Sequence, residues 1–178
     1  MLAELRLENY AVIDNAVVEF GSGLNLLTGE TGAGKSILID ALGLLLGDKA
    51  SAEVIRAGAE RAVVSGVFEC EGPAAQSIET TLEANGLDAD DHSLILRREI
   101  AAGGKGRVFM NNRPATVAVL KLLTPHLAVI HAQNESLVNF DEEARRGLLD
   151  AYAGVELDEV STSFAEWKPK IRSAAGFA

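Results

Sequence analysis

An α/β fold organised around a strand–loop–helix unit is what this sequence predicts, and three observations carry that expectation. Residues 24–28, Leu-Asn-Leu-Leu-Thr, read as a short buried strand that delivers the chain into a glycine-rich octet, Gly29-Glu30-Thr31-Gly32-Ala33-Gly34-Lys35-Ser36. The segment 36–46 that follows is apolar nearly all round and of helical length, as suits a central helix covered on several sides. Further β-rich runs lie on both sides of the unit in the chain. At 178 residues, 48% of them apolar, there is material for one sizeable core and one globular unit.

The elements follow in order. Leu5 and Leu7 alternate with Glu4, Arg6 and Glu8, the pattern of a half-buried strand, and 12–20 is a second β-rich run. Gly21, Ser22 and Gly23 make a turn into 24–28, and Gly47 stops the helix after the octet. A strand is expected over 62–70, then a helix bracketed by Pro73 and Gly86. Residues 94–100 and 107–111 read as two strands around the glycine-rich connection 101–106, a mobile hairpin, and 111–114 as the next turn. Thr116 caps a short helix that should end before Pro125, and 127–130 is the last buried strand, running into His131-Ala132-Gln133. Asp141 caps a helix through Tyr152, with Glu142 and Glu143 favoured by the dipole of its first turn. Leu157, Val160, Phe164, Trp167 and Ile171 then recur at coiled-coil spacing, although Pro169 would interrupt such a helix, and an ordinary amphipathic helix fits as well.

Composition excludes several classes. The single cysteine, Cys70, leaves no disulfide framework within the chain and fits a reducing, cytoplasmic compartment. The greasiest stretch, 37–46, is interrupted by Asp40 and is far shorter than a membrane span, so no membrane partner is expected. A net charge of −10 argues against holding nucleic acid by bulk electrostatics. One local cluster stands out: Arg97, Arg98, Lys105, Arg107 and Arg113 against Glu99 give 97–113 a net charge of +4, read either as a DNA-phosphate contact or as a solvated hairpin.

The octet is a P-loop. A glycine-rich turn feeding a helix N-terminus offers backbone N–H donors and a favourable dipole to a phosphate chain. Lys35 is placed to reach the β- and γ-phosphates of a nucleoside triphosphate and the Ser36 hydroxyl to take a Mg2+ coordination position. Hydrolysis also needs a carboxylate for the metal and a group to position water. No strand-end Asp supplies the first: Asp40 lies inside the P-loop helix, Asp150 follows a helix cap, and Glu30 lies within the loop. Gln133 is the candidate for the metal or the water, with capping of loop backbone as its alternative. His131 reads as a packing residue, and Arg56 as a phosphate contact or one half of a surface salt bridge.

Together, the runs 4–10 and 23–42, the block 43–50, Val108-Phe109-Met110-Asn111-Asn112-Arg113-Pro114-Ala115-Thr116, Ile130-His131-Ala132-Gln133-Asn134-Glu135-Ser136 and 148–154 resemble the SMC-like ATPases, and most nearly their bacterial break-repair members, over residues 2–154. The resemblance implies a P-loop NTPase fold, the N-terminal lobe of an ABC/SMC-type head, with an antiparallel β subdomain and the start of a coiled-coil arm. Residues 1–154 would form the lobe, with P-loop and Q-loop, and 155–178 the truncated beginning of the arm. Gln133 then matches the Q-loop glutamine, with Ala132 where the family usually has Gly and Asn134 where it has His. The signature and Walker B residues would come from a C-terminal lobe of the same protein, leaving this chain alone nearly inactive.

The cofactors implied are ATP and Mg2+, and the partners the C-terminal lobe, a second head in an ATP sandwich, and DNA ends. The implied role is DNA double-strand-break repair and recombination in the nucleoid-associated cytoplasm. Two other readings stay open: a self-contained P-loop kinase or NTPase, and a DNA-binding scaffold module with structural nucleotide.

Overall fold

The computed structural model describes residues 1–28, 34–89, 92–130 and 149. The chain divides into two units, Met1–Ile130 and His131–Ala178, and the sheet and its helices belong to the first. The expected helix from Asp141 and the heptad positions from Leu157 to Ile171 lie outside the described residues, as does the expected boundary at 154.

Six strands form one antiparallel sheet in the order β2-β1-β3-β4-β5-β6. They are β1 (Leu2–Tyr10), β2 (Ile13–Glu19), β3 (Arg61–Glu69), β4 (Ser93–Ala101), β5 (Gly106–Met110) and β6 (Arg113–Ala115). Among the described residues three α-helices, α1 (Lys35–Leu45), α2 (Gly72–Ala84) and α3 (Val117–Leu127), and a short 3-10 helix, Ala52–Val54, complete the unit. The period-2 alternation read from β1 holds, with Leu5 and Leu7 buried and Arg6 and Glu8 exposed. The same alternation sends Val64, Phe68, Leu94, Leu96, Ile100, Val108 and Met110 to one face. There they meet Leu44 and Leu45 of α1, Ile78 and Leu82 of α2, and Leu120 and Leu123 of α3 in a single core. Each such side chain contributes about 1.5–3 kcal/mol on burial.

One glycine is needed for the helix to sit on the sheet. A Cβ at Gly66 in β3 would lie 2.6 Å from Leu45 Cδ2, so α1 approaches the strand through a gap that only glycine leaves. Asn111 and Asn112 turn β5 into β6 with φ of 46° and 63°, the left-handed pair that two-residue hairpins require and asparagine tolerates. The expected turn over 111–114 is thus confined to these two residues. Arg113 and Pro114 belong to β6, an edge strand, where a proline removes no central ladder bond.

Three expectations fail. Residues 24–28 form no strand: Leu24 is 95% exposed and Leu26 80%, and no strand pairs with them among the described residues. Residues 127–130 likewise form none, since Leu127 closes α3 and Val129 is 61% exposed. An apolar run becomes a strand only beside a ladder partner, and the described sheet has none for either segment. Pro125, expected to lie past a helix end, lies inside α3. Its missing N–H costs one bond in the final turn, while the neighbouring Thr124 hydroxyl donates to Leu120 O at 3.0 Å and to Leu46 O at 2.7 Å, holding that turn in place. Thr116 does cap this helix, accepting from Val119 N at 3.3 Å.

Candidate nucleotide-binding site

Of the P-loop, Gly34, Lys35 and Ser36 are described, and Gly29, Glu30, Thr31, Gly32 and Ala33 lie outside the described residues. The helix begins at Lys35, and its first bond runs from Leu38 N to Gly34 O at 3.1 Å. No side chain caps this N-terminus and no acidic residue stands in its first turn. Ser36 is exposed and Lys35 half-buried. An exposed serine hydroxyl is a hard oxygen donor, which fits the preference of Mg2+. Gln133 and His131 lie outside the described residues.

Burial changes along α1. Ile39, 42% exposed, and Asp40 face outward near the start, whereas Ala41, Gly43, Leu44 and Leu45 are buried. Ile37 and Leu38 are half-buried against the same core, so the helix is covered most deeply over its second half and not all round as its composition suggested. Asp40 lies near Tyr10, whose phenol is pushed up to about 12, first by burial and then by the Asp40 charge. Ahead of the loop, Asn25 ties back the turn at Gly21: Gly21 N donates to Asn25 Oδ1 at 3.0 Å and Asn25 Nδ2 to Gly21 O at 2.8 Å. The apolar alternation around Asn25 concealed that role.

The basic cluster comes apart. Arg98, expected as a phosphate or DNA contact, is 2% exposed and points into the core. Strand alternation decides this, because Arg98 shares its face with Leu96 and Ile100 while Arg97 points outward. Its Nη1 donates to Leu44 O at 2.7 Å, and both terminal nitrogens lie within 3.5 Å of Asp48 O. Burial pushes the guanidinium pKa down and the charge of Asp48 opposes that. Arg97 lies 4.3 Å over the Phe109 ring and pairs with Glu99 at 3.7 Å. Arg113 pairs with Asp88 at 2.5 Å, whereas Lys105 and Arg107 stay exposed at the hairpin.

Arg56 lies beside the end of β1, where its N–H donates to Asn9 O at 2.9 Å and its guanidinium pairs with Asp14 at 3.6 Å. Both partners are exposed, so that pair contributes at most about 1 kcal/mol. Among the described residues no group of His, Cys, Asp and Glu could hold a metal ion, and no helix is long and apolar enough to cross a membrane.

A family model described as an AAA domain matches residues 4–88. The DNA repair protein RecN of Halalkalibacterium halodurans is 41% identical over 168 residues, which cover 93% of this chain and 29% of that relative. The Smc head domain with coiled coil and joint from Pyrococcus yayanosii matches with a TM-score of 0.65 at 21% identity, over 98% of this chain and 36% of the other. A chain from structural work on ATP-driven dimerization and DNA-stimulated activation of SMC ATPases matches with a TM-score of 0.59 at 22% identity, over 84% of this chain and 97% of that one. The fold is the one these SMC head structures share, and the chain carries a P-loop sequence within it. In sequence the chain is similar to the RecN proteins, and it spans about three-tenths of the length of the curated relatives it matches.

Proposed function

We propose that this chain is the ATP-binding N-terminal lobe of a RecN-like protein acting in DNA double-strand-break repair and recombination. The carrying observation is that Lys35 and Ser36 form the first turn of an uncapped helix whose far half is locked into a core. On this reading the backbone of Gly29, Glu30, Thr31, Gly32, Ala33 and Gly34 cradles the phosphates and Lys35 meets the β- and γ-phosphates. Ser36 and Gln133 hold Mg2+, which withdraws charge from the phosphates when bound, and Gln133 also orients water. The exposed apolar residues Leu24, Leu26 and Leu27, together with Ile39 on α1, support a lobe completed by further chain.

The missing Walker B and signature residues would come from the C-terminal lobe and from a second head. ATP would then join two heads and hydrolysis release them, controlling how DNA ends are handled or tethered. The outer sheet face carries Arg6, Arg61, Arg97 and Arg107 against Glu4, Glu8, Glu19, Glu69 and Glu99, a balance that opposes a broad DNA footprint. A local phosphate contact by Lys105 and Arg107 at the hairpin, with Arg97 on the same face and Arg56 at the same end of the strands, remains within the proposal.

The test is ATP turnover by this chain with and without a separately expressed C-terminal lobe of the same protein. Turnover near background alone and a large rise on mixing is the expected outcome. Full turnover by the chain alone would instead favour a self-contained NTPase.

A further inference from the structure

A guanidinium in the middle of a hydrophobic sheet face needs a reason, since apolar residues of similar volume there are as stabilising or more so. Arg98 stands at such a position, opposite Val64 on β3 and Val108 on β5. Its Nε is buried with no hydrogen-bond partner, so the site is not optimised for satisfying the side chain itself. Instead, the terminal nitrogens are aimed at carbonyls at and just beyond the end of α1, Leu44 O at 2.7 Å and Asp48 O at 3.4 Å. A cation there also complements the negative end of the helix dipole.

A second side chain reaches the same end from another element: Thr124 of α3 donates to Leu46 O at 2.7 Å. The carbonyls past the last turn are thus gripped from the sheet and from α3, and Gly66 sets how close the helix lies to β3. An eleven-residue helix is a rod about 16 Å long. Fixing one end in direction and depth fixes the other, where Lys35 and Ser36 stand.

We propose that Arg98, assisted by Thr124, is a positioning residue for the nucleotide site, holding the P-loop helix by its C-terminal carbonyls so that Lys35 and Ser36 are presented in register. The proposal rests on the reading of Gly29 to Ser36 as a nucleotide cradle. It assigns Arg98 no contact with nucleotide or DNA. Hydrogen bonds are directional where packing is not, so a buried Arg specifies the helix's axial placement more narrowly than Met would.

The experiment measures Mg·ATP affinity by titration calorimetry and Tm by circular dichroism on the full chain, with affinities read well below each Tm. The variants are R98M, R98K, T124V, V108A and K35A. V108A opens a cavity on the same sheet face without touching the carbonyls of α1. R98M is expected to bind about tenfold more weakly, as small misplacements of reacting groups do. R98K should recover part of that loss, T124V should lose about twofold to threefold, and V108A should lower Tm with affinity unchanged. An R98M affinity equal to wild type would overturn the proposal, as would V108A losing as much affinity as R98M. If R98M does not fold, R98K and T124V decide, and wild-type affinity in both overturns it. Wild type and K35A binding equally would contradict the cradle itself, an outcome separate from any effect at Arg98.

Discussion

The two halves of the P-loop helix are built to different standards. From Ala41 onward α1 is buried, seated on Gly66 and held at its end by Arg98 and Thr124. Before that, Ile39 and Asp40 face outward, Ser36 is exposed, and the approaching residues Leu24 and Leu26 are almost fully so. The difference separates support from chemistry. The chain completes its own scaffold for the helix, while Ser36 and Ile39 near its start are exposed.

Substitutions can break or sharpen this contrast. The largest effect is expected at the open end: Lys35→Ala should weaken Mg·ATP binding about a hundredfold by removing a charge-assisted contact, with little change in Tm. Calorimetric titration beside a melting curve measures both. At the anchored end, Leu45→Ala should cost about 2–5 kcal/mol in urea unfolding, whereas Leu26→Ser should stay within about 0.5 kcal/mol. Equal costs would erase the contrast. Gly66→Ala should cost about 1–3 kcal/mol by overpacking against Leu45, and a compensating Leu45→Val should recover part of it.

Tyr10 supplies a smaller, pH-dependent effect at the junction of the halves. Its folded pKa is raised from about 10 to about 12, so the unfolded chain loses the phenolic proton first as pH rises. The associated stability is present below pH 10 and lost between about 10 and 12. Alkaline unfolding of Tyr10→Phe should lack that component.

Much of the anchored half was legible in the sequence. Alternation fixed the faces of β1, the runs 62–70 and 94–100 read as strands, Thr116 and Gly47 marked helix ends, and the octet located the start of α1. What escaped legibility depended on neighbours. Residues 24–28 and 127–130 have strand-like composition, but no ladder partner stands beside them among the described residues. Arg98 looked like one of five clustered cations because charge counting ignores strand parity, which alone turns it inward while Arg97 faces out. That parity was readable from Leu94, Leu96 and Ile100, which share its face. Of the site, Lys35 and Ser36 stand in the first turn of α1, and Gln133 lies outside the described residues.

Hydrogen exchange compares the two regions in one experiment. The amides of Leu44, Leu45 and Leu46 should exchange slowly in this chain alone, and those of Leu26 and Leu27 fast. Adding the C-terminal lobe with Mg·ATP should slow the second group and leave the first unchanged. Equal, strong protection of both groups in the chain alone would contradict the account of a self-supported helix whose working end is completed from elsewhere.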